Sequence, residues 1–90
     1  MDDVKNYYKN KIILVTGGVG SIGSNLVKEL LKFSPKSIRV LDNNETCVFE
    51  LERNLNSKII RPFIGDIRDK ERIKRAVEGV EIVFHTAALK

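Results

Sequence analysis

Ninety residues are enough for one small domain, and a chain of this size buries only about 60 to 65% of the surface it exposes when unfolded. With 42% hydrophobic and 31% charged residues, no repeats and no low-complexity run, the composition is globular and excludes a disordered or fibrous chain. The net charge of +4 is interleaved with acids in KELLK, LER and DIRDKERIKR, which reads as solvated surface and not as a nucleic-acid patch.

A single cysteine, Cys47, excludes an internal disulfide. It falls in a helical pattern with no His or Asp at a catalytic spacing, and reads as packing. With no signal-peptide pattern and no long apolar run, the expectation is a soluble, cytoplasmic protein.

Residues 1–10 form a polar lead-in in which Val4, Tyr7 and Tyr8 are spaced for one side of a short helix, and the tyrosines are expected to pack near the bottom of a sheet. Tyr7 and Lys11 match the Tyr-x-x-x-Lys form of a reductase pair. Lys11 begins the first strand, however, and ligands in open α/β sheets sit at the opposite, carboxyl ends of the strands.

The stretch Ile12-Ile13-Leu14-Val15 reads as a strand buried on both faces, and Thr16-Gly17-Gly18-Val19-Gly20-Ser21-Ile22-Gly23 then turns sharply into a helix. This spacing suits close approach of backbone to a pyrophosphate. Gly17 allows the tight turn, Gly20 leaves no side chain between backbone and phosphate, and Gly23 lets the helix lie close to the sheet. The motif can also be counted from Gly18 as a literal G-x-G-x-x-G. Free N–H groups around Ser21 and Ile22, with the helix dipole behind them, favour an anion. A triphosphate loop is excluded, because Ser24 stands where that motif needs lysine.

Ile22, Leu26, Val27, Leu30 and Leu31 then recur at helical spacing and are expected to cover the sheet. Ser34-Pro35 ends this helix, and Ser37 to Asp42 reads as a second strand. A second helix spans about Glu45 to Leu55, capped by Asn43 or Asn44, with Val48, Leu51 and Leu55 inward. Ser57 to Ile64 reads as a third strand, which Pro62 assigns to an edge. A Gly65-Asp66-Ile67-Arg68-Asp69 turn follows. Asp69 caps a third helix bearing Ile73, Ala76 and Val77 and a Glu71–Arg75 pair, and Gly79 stops it. Val80 to Phe84 reads as the fourth strand.

The alternation βαβαβαβ implies an α/β fold: a partial Rossmann-type three-layer sandwich with a parallel sheet in strand order 3-2-1-4. The fourth strand is then an open apolar edge. The expectation is a fragment of a longer protein, or self-association through that edge; a monodisperse, stable monomer would count against both.

Asp42, ending the second strand about 20 residues after the glycines, sits where a carboxylate accepts hydrogen bonds from the adenosine ribose and repels a ribose phosphate. That favours NAD, with NADP possible if Arg39 or Arg53 lies nearby. Asp42 also suits a capping role in the Asn43-Asn44-Glu45 turn. Asp66 is read equally as a turn residue or as an acceptor for the adenine amino group. His85, the one histidine, has no acid partner two or three residues away and reads as a hydrogen-bonded structural residue. Ala87 and Ala88 leave room for a flat cofactor against the backbone, with Lys90 near its working end.

TGGVGSIGS, LDNNE, RPFIGDIRD and HTAALK, in this order and spacing, resemble the nucleotide-binding half of the extended short-chain dehydrogenase/reductase superfamily. Within it they are most similar to the polysaccharide-biosynthesis group of UDP-N-acetylglucosamine 4,6-dehydratases, including the inverting enzymes of pseudaminic acid synthesis. UDP-glucose 4-epimerases share the glycine turn and the AALK-like end but usually carry an aromatic residue where this chain has Ser21. The likeness covers nearly everything after residue 10, so residues 11–90 are expected to form the dinucleotide-binding half-domain.

The resemblance implies that Val19 to Ile22 hold the pyrophosphate, Asp42, Asn43 and Asn44 the adenosine ribose, and Asp66 and Ile67 the adenine. It assigns Thr86 and Ala87 to the inner part of the cofactor and Lys90 to the sugar nucleotide. Thr86 replaces the family's usual alanine, and Val19 a common Thr or Ala. The implied chemistry is transient oxidation of the sugar 4-hydroxyl by NAD, loss of water and return of the hydride. The Thr or Ser, the Tyr-x-x-x-Lys pair and the carboxylate acid it needs lie further along such chains, so no turnover is expected from these residues alone. The complete enzyme would take a UDP-sugar and form a homo-oligomer, with no metal, nucleic acid or membrane implied. The other classes are a non-catalytic NAD-binding module, which measurable NAD affinity of the isolated chain would favour, and a nucleic-acid-binding domain, which a salt-sensitive gel shift would reveal.

Overall fold

Four apolar runs lie side by side in parallel, as strands hydrophobic on both faces do when helices cover them. In the computed structural model, which describes residues 6–86, β1 (Ile12–Thr16), β2 (Ser37–Asp42), β3 (Ile60–Ile64) and β4 (Ile82–His85) form one sheet in the order β3-β2-β1-β4. The helices between them are α1 (Ser21–Leu31), α2 (Glu45–Leu55) and α3 (Lys70–Val77). The α/β class and strand order are as the alternation predicts.

Strand periodicity sorts the core into two layers. Ile13, Val15, Ile38, Val40 and Ile60 pack on one face with Val27 and Leu30 of α1 and Leu51 of α2. Leu14 and Leu41 face the other way, against Ala76 of α3. Each fully buried Leu, Ile or Val side chain contributes roughly 1.5–3 kcal/mol relative to an exposed one. The chain therefore changes face between α2 and α3, and the carboxyl ends of β1 and β4 sit at that reversal.

Two helices carry their own caps. Asn44 accepts from the Cys47 N–H at 3.1 Å, and Asp69 from that of Arg72 at 3.2 Å, each cap being worth about 1 kcal/mol. At their far ends, Asn56 (φ 47°) and Gly79 (φ 77°) turn left-handed. Arg39 reaches from β2 to donate to the Ala76 carbonyl at 2.9 Å, with its guanidinium 5.6 Å from the centre of the Phe63 ring. This ties α3 to the sheet.

Of the two lead-in tyrosines expected to pack near the bottom of the sheet, Tyr8 does so, stacking on Phe33 at 5.5 Å and lying 6.2 Å from Phe84, whereas Tyr7 stays 61% exposed, edge-on to Tyr8. Lys11 pairs with Glu81 at 3.5 Å at the amino end of the sheet, away from the strand carboxyl ends. That removes the Tyr7–Lys11 coincidence from any ligand site.

Four local expectations change. The strand expected from Ser57 starts at Ile60, because Ser57 begins a turn closed by Ile60 N–H to Ser57 O at 3.4 Å. The fourth strand is Ile82–His85, not Val80–Phe84, since Val80 is held back by a bond to Val77 O. No Glu71–Arg75 pair forms among the described residues, whose ion pairs are Lys11–Glu81, Glu29–Lys32 and Asp66–Arg68. Ile22, expected over the sheet, is 72% exposed at the start of α1, while Val27 and Leu30 do the covering. Among the described residues no helix is long and apolar enough to cross a membrane.

Candidate functional site

Three of the strands, β1, β3 and β4, pass into their loops with a bond that continues the sheet. Gly17 N–H donates to Leu41 O at 2.8 Å, Gly65 N–H to Asp42 O at 3.0 Å, and Thr86 N–H to Thr16 O at 2.9 Å. These bonds fasten the starts of three loops to the sheet, and among the loops opens a cleft of about 640 Å³. That is within the range of small-molecule sites, at the reversal point where open α/β sheets bind ligands.

Its walls follow the chain. The glycine turn gives Gly17, Val19 and Gly20; the start of α1 gives Ser21, Ile22 and Gly23; the β2 loop gives Asp42, Asn43 and Asn44; and the last two loops give Asp66, Ile67 and Thr86. All are residues singled out in the sequence. Ala87 and Lys90 lie outside the described residues. Cys47 and Gly65 also line the cleft but were not assigned to it. The signal for Cys47 was its place in the first turn of α2, which opens at the same end of the sheet.

The three motif glycines do different work. Gly17 takes φ 71°, which side chains resist. A β-carbon on Gly23 would run into the Gly17 carbonyl oxygen, lie 2.7 Å from Gly18 Cα and 2.8 Å from Thr86 Oγ1. One on Gly20 would meet nothing closer than Gly17 O at 3.6 Å, an ordinary contact. So Gly23 is needed by the fold, whereas the space over Gly20 is open among the described residues. Gly18 faces inward, where a β-carbon would come 2.5 Å from Val40 Cγ1.

Gly20 is also the N-cap of α1, with no side-chain cap bond among the described residues and no acid in the first turn. The N–H groups of Ser21, Ile22 and Gly23 have no intrahelical acceptor, and the dipole adds about half a positive charge there. Unlike α2 and α3, this helix leaves its start to something outside itself.

Asp42 borders the cleft, and its Oδ1 accepts from the Asn44 N–H at 3.0 Å. Of the two roles read for Asp42, the turn role is met by this bond, while the helix cap itself is Asn44. Neither Arg39, held at Ala76 O, nor Arg53 on α2 lines the cleft. His85 Nδ1 is 2.5 Å from Thr16 Oγ1, which makes it the hydrogen-bonded strand-end residue expected.

Asp66 is gripped by Arg68: Oδ1 takes the backbone N–H at 2.8 Å and Nε–H at 3.0 Å, and Oδ2 takes an Nη2–H at 2.7 Å. The Arg68 side-chain bonds, reinforced by its backbone N–H, lower the Asp66 pKa from 3.8 to about 2. A lowered carboxyl favours the fold above its unfolded value, and that contribution is lost as pH falls from 3.8 toward 2. Arg68→Ala is therefore expected to return the Asp66 carboxyl titration, followed by NMR, toward 3.8. An unmoved midpoint would show that Arg68 does not set it.

Comparison with known proteins agrees with this architecture. The family model described as polysaccharide biosynthesis protein matches residues 13–90. The chain is 68% identical over 88 residues to the uncharacterized membrane protein MJ1061 of Methanocaldococcus jannaschii, covering 98% of this chain and 26% of that protein. It is 43% identical over 84 residues to the inverting UDP-N-acetylglucosamine 4,6-dehydratase of Campylobacter jejuni subsp. jejuni serotype O:23/36, covering 92% and 25%. Among solved structures, the Bordetella bronchiseptica enzyme WbmF in complex with NAD+ and UDP superposes with a TM-score of 0.74 at 28% identity, covering 92% of this chain and 24% of WbmF. The chain thus spans about a quarter of the length of these relatives. With a family model matched from the first strand onward and the glycine turn in place on a parallel sheet, the chain belongs to the polysaccharide biosynthesis protein family.

Proposed function

We propose that this chain is the NAD-binding part of a nucleotide-sugar dehydratase acting on a UDP-N-acetylhexosamine in surface-glycan synthesis. The observation that carries the reading is the uncapped start of α1 beneath an open Gly20. A diphosphate there meets unpartnered N–H groups, no side chain and no acid. Asp42 then accepts from the adenosine ribose, and Asp66 and Ile67 flank the adenine. When bound, the dinucleotide supplies reversible oxidation of the sugar. The residues of this chain bind and orient it, while Lys90 is assigned to the sugar nucleotide. Further support comes from the dehydratase of Campylobacter jejuni and from the NAD+ and UDP complex of WbmF.

Calorimetric titration of the protein with NAD and NADP tests the cofactor. NAD is expected to bind at least about tenfold more tightly, since a ribose phosphate beside Asp42 costs roughly 1.4 kcal/mol or more. Asp42→Asn should narrow that gap. Equal binding of both, or of neither, would refute the assignment. Incubation of the protein, together with any residues that follow Lys90, with UDP-N-acetylglucosamine should give a dehydrated 4-keto sugar; a 4-epimer instead would make it an epimerase.

A further inference from the structure

The residue after β4 does more than border the cleft. Thr86 Oγ1 donates to Thr16 O at 2.6 Å, with Gly17 O at 3.1 Å sharing the same proton, while Thr86 N–H also donates to Thr16 O. Gly17 O additionally receives the Gly20 N–H at 3.2 Å. Two successive carbonyls, at the end of β1 and the start of the glycine turn, are thus held by one hydroxyl just past the neighbouring strand. Their orientation matters: the Gly17 N–H is already fixed on Leu41 O, so the peptide left to rotate is Gly17–Gly18, and its rotation would turn the Gly17 carbonyl outward, off Thr86 and the Gly20 N–H. A carbonyl oxygen facing a diphosphate is repelled. Glycine offers little steric resistance to such a rotation, so the restraint has to come from elsewhere.

We propose that Thr86 is a positioning residue whose hydroxyl clasps the Thr16 and Gly17 carbonyls and so keeps the turn in its anion-accepting form. This rests on the dinucleotide reading above and assigns the hydroxyl to the turn, not to the cofactor. Thr86→Val keeps the shape and removes the bond; Thr86→Ser keeps the bond.

In the protein, Thr86→Val is expected to weaken NAD binding about five- to tenfold, and Thr86→Ser to stay within about twofold, as loss of one hydrogen bond predicts. Without dinucleotide, amide exchange at Gly17 and Gly20 should rise in the valine variant alone, with Ile13 and Val15 in β1 unchanged. Unaltered exchange at Gly17 and Gly20, or a rise that spreads equally through β1, would overturn the proposal. So would NAD affinity of the valine variant equal to wild type. If wild type binds no NAD, the cofactor reading falls and exchange alone judges the clasp: faster turn exchange with a quiet β1 upholds it.

Discussion

Gly20→Val is expected to lower NAD affinity at least about 100-fold, or roughly 2.7 kcal/mol, while the protein stays folded. The backbone there (φ −68°, ψ 170°) is open to any residue, and a β-carbon would touch only Gly17 O at 3.6 Å. Replacing an N-cap glycine by a residue that caps poorly costs stability of at most about 1 kcal/mol. The branched side chain instead fills the space in front of the Ser21 and Ile22 N–H groups, where the diphosphate would lie. Calorimetry with NAD beside urea denaturation separates the two effects. Affinity within a few-fold of wild type would remove the glycine turn from the binding site.

Gly23→Ala should do the reverse, destabilising the fold by about 2–4 kcal/mol. Its β-carbon meets the backbone of Gly17 and Gly18, and backbone in a tight turn cannot give way as the end of a flexible side chain can. Relief requires α1 to move off the sheet, taking Val27 and Leu30 out of the core they share with Ile13 and Val15. A loss of this size is a large share of the roughly 5–15 kcal/mol that holds a domain together. Urea denaturation should show an earlier midpoint, and a midpoint equal to wild type would show that α1 does not need this close approach. One methyl group three residues further on thus exchanges a ligand defect for a folding defect.

Sheet order was readable because apolar runs bounded by turn residues alternate with helical periodicity, and few topologies satisfy that pattern. The cleft was readable because glycine spacing and Asp42 encode backbone shape directly. Contacts between distant segments were not. That Gly18 sits under Val40, and that Thr86 fastens the turn, depend on β1 having β2 and β4 as neighbours at a fixed register. Helical spacing placed Ile22 over the sheet because it cannot tell a sheet-facing position from one at the rim of a cleft. Strand limits moved at Ile60 and Ile82 because pairing register, not apolar content, decides where a ladder begins.

The start of α1 leaves the chain short of one cap that α2 and α3 possess. By mass action, a diphosphate that occupied this place would close the helix itself, and the folded population would grow with ligand concentration by the amount its dissociation constant sets. The protein's first helix would then be completed only in the presence of the molecule it serves.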